Sequence, residues 1–152
     1  VVVTLFFYQL KEKRRMRSKK LSILFAVIAL VISTLACSFG AGEPSLTNPR
    51  MSTDSEGNNA TTVYSSTDAF YAVADLSNVE TGSIVDSKWY LVSSADYDPG
   101  ELQTTSLTID DQNLYNYVSF ELTSTEGWPV GEYKVELYLN GTLAHTLNFS
   151  VQ

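Results

Sequence analysis

The chain reads as an all-β protein, a single sandwich of about seven antiparallel strands held behind a signal-peptide helix and a disordered tether. Three observations point there. From Thr61 to Gln152, apolar and polar residues alternate in short runs, and no stretch keeps a 3.6-residue period over three turns. Turn-forming sequences such as Asn140-Gly141 and Asp98-Pro99-Gly100 punctuate those runs. Ahead of them, a basic stretch leads into the most apolar run of the chain, which ends at its only cysteine, Cys37.

The start of the export segment falls at Met16. Residues 1–15, VVVTLFFYQLKEKRR, have no signal-like order, and a Lys/Glu/Arg run just before a Met is what a translated ribosome-binding site gives. They are expected to be an over-extended upstream reading, the alternative being a genuine short extension. Residues 16–36 then carry the parts of a secretory signal: MRSKK, the fifteen-residue apolar run 21–35, and Ala36. That run is short for a membrane span, which needs about 20 apolar residues. Ser33-Thr34-Leu35-Ala36-Cys37 resembles a bacterial lipobox, with Thr34 where Leu is usual. The resemblance covers Met16 to Cys37. It implies a diacylglyceryl group on the Cys37 thiol, cleavage after Ala36, and a bilayer as the first partner. Two or more acyl chains hold a protein on a membrane stably where one does not. The alternative is an uncleaved anchor with an incidental cysteine. Residues 37–60 are rich in Ser, Thr, Asn, Gly and Pro without an apolar period, and read as the lipidated Cys and a flexible linker.

The domain is placed at 61–152, and it is expected to fold alone. Its clearest strand is 133–139, where Tyr133, Val135, Leu137 and Leu139 alternate with mostly polar residues. Asn140-Gly141 turns it into 143–151, with Leu143, Leu147, Phe149 and Val151 on one face. A strand at 114–122 puts Val118, Phe120 and Leu122 inward and Tyr115, Tyr117 and Glu121 outward. Others are expected at 69–76, 84–93 and 103–109, with a weaker one near 61–66. Seven strands in about 90 residues is sandwich density.

Two positions within this pattern resemble the immunoglobulin-like family. Trp89, in SKWYLV, matches the inward Trp of the third strand. Gly131-Glu132-Tyr133-Lys134-Val135 matches the tyrosine corner that opens the sixth, with Val135 where antibody domains carry Cys. The second-strand partner is Ala72, Val73 or Ala74. With no cysteine in the domain, the resemblance is to the disulfide-free immunoglobulin-like or fibronectin-III-like modules of bacterial surfaces. The closing stretch 128–151 is also similar to the last hairpin of small lipoproteins bearing such a domain.

The chemistry of the domain is sparse. After Cys37 there are three basic residues, Arg50, Lys88 and Lys134, against sixteen acids, a formal charge of −13 that repels nucleic acid. The lone His145 has the parity of Leu147, or else stands at a strand end or bulge, and no Ser or Cys motif accompanies it. Counted as a calcium loop from Asp96, position 6 is Glu101 and position 12 is Leu107, so the EF-hand pattern fails. No phosphate loop, dinucleotide fingerprint or zinc spacing is present. Three sequons, at Asn59, Asn140 and Asn148, read as accidents of a Thr- and Asn-rich strand protein. Catalytic, metal and cofactor-binding residues are therefore expected to be none, and the only prosthetic group the Cys37 lipid.

One surface stands out. If Trp89 and Val135 point inward, parity sends Lys88, Tyr90 and Val92 outward, and likewise Lys134, Glu136 and Tyr138. Lys88, Tyr90, Lys134 and Tyr138 would share one face of an otherwise acidic domain, a candidate for meeting a protein or a glycan. Ordinary cross-strand pairing on a solvated sheet gives the same pattern. The function expected is that of a cell-envelope, extracytoplasmic, membrane-anchored lipoprotein presenting a binding or adhesion module. The alternatives are an accessory subunit of an envelope assembly and, least favoured, an enzyme with an unrecognised site.

Overall fold

The computed structural model describes residues 42–111 and 115–152. The segment 1–15 expected to be an upstream extension, the expected signal peptide 16–36 and Cys37 lie outside the described residues.

Eight strands follow in order: β1 (Ser45–Ser52), β2 (Val63–Tyr64), β3 (Phe70–Ser77), β4 (Ile84–Ser94), β5 (Gly100–Thr108), β6 (Tyr117–Leu122), β7 (Gly131–Leu139) and β8 (Thr142–Val151). They form two sheets, β1-β3-β6 and β2-β8-β7-β4-β5. All pairings are antiparallel except the short β2, which runs parallel to β8. The seven expected strands are all present, close to their expected bounds.

The eighth, β1, lies inside the stretch expected to be linker. The reason is a bulge. Leu46 and Met51 are both buried, yet a separation of five would put them on opposite faces of a regular strand. Between Thr47 and Arg50 the pairing with β3 slips, with Asn48 at φ 48° and Pro49 beside it. The extra residue resets the parity, and Pro is tolerated there because bulges and edges leave its missing N–H unpaired. Residues 53–60 are a tight loop around Asp54, whose carboxylate accepts bonds from the backbone N–H groups of Glu56, Asn58 and Asn59. The linker expectation is thus corrected from Ser45 onward.

A second bulge corrects the face of Leu143. Leu137 pairs with His145 but Tyr138 pairs with Leu143, so Ala144 is the extra residue. Leu143 turns outward with Tyr138 and is 50% exposed, while Phe149 and Val151 stay buried. Tyr115 also departs from its expected outward place. It precedes the first paired residue of β6, so strand parity does not govern it, and it packs partly against the core.

The core has the architecture the parity required. Trp89 and Val135 are fully buried and paired across β4 and β7. Val118, Phe120 and Leu122 face them from the other sheet, with Phe70, Ala72 and Ala74 on β3. Of the three second-strand candidates, Ala72 and Ala74 belong to the cluster that holds Trp89, and Val73, though buried, does not. One end of the core is aromatic. Phe70 stacks on Trp128 at 4.6 Å between centroids, and Tyr133 on Phe149 at 5.4 Å. The Tyr133 hydroxyl donates to the carbonyl of Pro129, four residues upstream, at 2.6 Å.

Candidate functional site

The outer face of the five-stranded sheet is built by the alternation of β4 and β7. Burying Trp89 and Leu91 on one strand, and Tyr133, Val135 and Leu137 on the other, leaves every second residue on the far side. The register then sets the neighbours. Lys88 lies opposite Glu136, Tyr90 opposite Lys134, and Asp86 opposite Tyr138. All four residues singled out in the sequence come together on this face, with the exposed Val92, the extra residue of a bulge between Leu91 and Ser93, at its margin.

The four side chains are knitted to one another. The Lys134 ammonium lies 4.6 Å from the centroid of the Tyr90 ring, and that of Lys88 lies 4.8 Å from the Tyr138 ring. Both are cation–π distances. Glu136 is the hub. One of its oxygens accepts Lys134 Nζ at 2.6 Å, and the other accepts the Tyr138 hydroxyl at 2.7 Å. These bonds hold the Glu136 carboxyl below its ordinary range, Lys134 contributing most. The same carboxylate pushes the Tyr138 phenol up to about 12. Burial, with Glu136 and Glu101 nearby, raises Tyr90. Glu136 was readable only as another outward position. Its role as hub follows from Lys134, Glu136 and Tyr138 falling two residues apart on one strand.

What this face offers is an ordered patch on a sheet surface. Two tyrosines are held by two lysines, and one carboxylate is satisfied at both oxygens. Both lysines of the described residues lie here, among the carboxylates of Glu136, Asp86 and Glu101, in a domain of formal charge −13. Side chains fixed in this way lose little entropy on contact with a partner.

The other sequence candidates are dispersed. His145 Nε2 lies 2.7 Å from the Leu46 carbonyl oxygen, so it joins β8 to β1 across the open side of the sandwich. Among the described residues no three His, Cys, Asp or Glu side chains are grouped to hold a metal ion. Asp110 accepts the Tyr115 hydroxyl.

No family model and no curated protein sequence matches this chain. Solved structures of similar shape include an immunoglobulin-like protein from Pseudomonas aeruginosa, at 14% identity and TM-score 0.46, over 73% of this chain and 93% of that one. An alkylpurine DNA glycosylase from Pseudomonas fluorescens bound to abasic-site DNA matches at 14% and 0.45, and this chain spans 31% of its length. A β-glucosidase from Listeria innocua in complex with gluconolactone matches at 10% and 0.45, over 16% of its length. The two-sheet order, the inward Trp89 and the Tyr133–Pro129 corner are marks of the immunoglobulin-like fold. The chain carries an immunoglobulin-like β-sandwich. Immunoglobulin-like domains serve many unrelated functions, so the fold leaves function to its surfaces.

Proposed function

We propose that this protein is a membrane-anchored extracytoplasmic lipoprotein whose immunoglobulin-like domain is a binding module rather than an enzyme. Cys37, five residues ahead of Gly42, would carry the lipid, and the outer face of β4 and β7 would meet the partner. The observation that carries the reading is the ordered Lys88–Tyr138 and Lys134–Tyr90 patch around Glu136. Of the two partner classes, a protein suits this face better than a glycan. The patch lies on a sheet face, and its Tyr138 hydroxyl and two lysines are already engaged, which favours broad contact over enclosure of single hydroxyl groups.

The anchor and the face are tested separately. A Cys37→Ala chain should stay uncleaved after residue 36 and take up no radiolabelled palmitate, and normal labelling would end the lipoprotein reading. For the face, Tyr90→Ser and Tyr138→Ser together should abolish cross-linking to the envelope protein captured by the wild type. Retention of that cross-link would remove the patch from the interface. A second reading, an accessory subunit of an envelope assembly, is favoured by β5. Its outer edge has no partner strand among the described residues, and Gly100–Ser106 are exposed throughout. Such an edge can take a strand from another chain. A stoichiometric complex purified through that edge would establish it.

A further inference from the structure

A groove of about 1060 Å³ opens at one end of the sandwich, away from the patch just described. Three connections build it: the turn between β2 and β3, the loop between β4 and β5, and the long segment between β6 and β7. We propose that this groove binds a neutral oligosaccharide. The site rests on its own residues and does not require the outer face to bind anything.

The floor is rigid. Trp128 donates its backbone N–H to the Ser66 carbonyl at 2.7 Å and its indole N–H to the Asp68 carbonyl at 2.9 Å. One side of its ring stacks on Phe70. Gly127, at φ +87°, permits this approach, since a Cβ there would lie 3.2 Å from the Ser66 oxygen. The flanking turns are closed from within. The Ser124 hydroxyl donates to the Gly127 carbonyl, and Asp68 accepts the Ser65 N–H. Asp68 is thereby held below its ordinary carboxylate range. A groove ordered before binding loses less on taking a ligand.

The walls, by contrast, are unspent. Tyr97 is 61% exposed and makes no hydrogen bond or ring contact with any described residue. The hydroxyls of Ser66, Thr67, Thr123 and Thr125 line the groove without a protein partner among the described residues. Every one of them can both donate and accept. A pyranose presents the complement: a C–H face that rests on an aromatic ring, and a rim of hydroxyls that likewise donate and accept. Charge narrows the class. Arg50, Lys88 and Lys134 are all absent from the lining, and Glu126 is in it, so a phosphate or a uronic acid finds no counter-ion.

The groove also faces usefully. β1 enters beside Ser77, at the far end of β3, whereas the groove loops adjoin Phe70 and Leu122. Eight residues of strand separate the two ends, about 25 Å. The groove therefore opens at the end of the sandwich opposite the one where β1 begins.

The test uses the full chain in a detergent without a sugar headgroup. Hexasaccharides of glucose, mannose, galactose and N-acetylglucosamine are titrated by calorimetry and tryptophan fluorescence, with polygalacturonate as the anionic comparison. Trp89 is fully buried, so a fluorescence change reports on Trp128. At least one neutral probe should bind. Tyr97→Ala should weaken it about tenfold with no change in melting temperature, and Thr67→Val should weaken it too. The Tyr90→Ser, Tyr138→Ser chain should bind as wild type, which separates this site from the outer face. The proposal is overturned if no neutral probe binds at concentrations up to about 10 mM, if Tyr97→Ala binds unchanged, or if the polyuronate binds best.

Discussion

Replacing Trp89 by Ala tests whether the sandwich is organised around that ring. Trp89 has no solvent exposure. It pairs with Val135 across β4 and β7, meets Phe149 edge-on at 6.1 Å, and donates its indole N–H to the Ser87 hydroxyl at 3.2 Å. Truncation removes the ring and leaves a void between two sheets that cannot close upon it. Changes of this kind cost about 3–5 kcal/mol. Ser87 is fully buried, so its hydroxyl also loses a donor. A domain has about 5–15 kcal/mol in all. For the roughly 110 residues from Gly42 to Gln152, unfolding entropy sets about 4 °C of melting temperature per kcal/mol. The expected loss is therefore about 12–20 °C. Differential scanning calorimetry reads it directly. Trp89→Phe refills part of the void and should fall between the two proteins. A Trp89→Ala domain melting within about 4 °C of wild type would refute the reasoning, because it would mean less than 1 kcal/mol rests on that ring.

Two further outcomes follow from the hydrogen bonds. Tyr133→Phe keeps the stacked ring but removes the 2.6 Å bond to Pro129, and should cost about 1 kcal/mol in urea unfolding; no loss would make the corner ornamental. For pH, Asp54, Asp68, Asp75 and Glu136 have carboxyls lowered by their donors, so their stabilisation is complete above the ordinary carboxylate range of about 4 and is lost as pH falls through their folded values. Tyr64 and Tyr138 are raised, Tyr64 mainly by burial and Tyr138 mainly by Glu136, so their contribution holds below about pH 10 and is lost above it. Urea midpoints should form a plateau between those limits and fall on both sides; a midpoint unchanged down to pH 2.5 would contradict the acid arm.

How much of this was legible follows from which strands keep a strict period of two. β4 and β7 do so through their central residues, and there parity placed Trp89, Val135 and the whole outer patch correctly. β1 and β8 contain bulges, and a single inserted residue reverses every face beyond it. That is why Leu143 was assigned inward and why Leu46 and Met51 did not read as one strand. The patch was legible as a set of residues sharing a face. Its hub was not, because Glu136 gains its role from side-chain contacts at 2.6 and 2.7 Å that alternation cannot encode. The end groove was invisible for a different reason. Ser66, Tyr97 and Thr125 are brought together by three separate loops, and no local pattern links them.

The boundary of the domain turns on β1, and this can be measured. A chain beginning at Thr61 keeps seven strands but loses the edge of the three-stranded sheet. β3 would then expose the backbone groups now paired with Ser45–Ser52. Leu46 and Met51, each 3% exposed, would be gone, and full burial of such side chains contributes about 1.5–3 kcal/mol apiece. Two acceptors would go with them. The buried Tyr64 hydroxyl now donates to the Ser52 carbonyl at 2.9 Å, and His145 reaches the Leu46 carbonyl. An orphaned buried hydroxyl adds about 1–3 kcal/mol to the loss. The total, roughly 4–9 kcal/mol, is comparable with the whole stability of a domain this size. Residues 42–152 should therefore unfold in one cooperative transition. Residues 61–152 should either show none or melt at least about 15 °C lower. Tryptophan fluorescence during heating distinguishes the two, since Trp89 reports on the core of both proteins. Equal midpoints would show that β1 is an accessory strand laid on a finished sandwich, and the domain would then begin at Thr61 as its alternation first suggested.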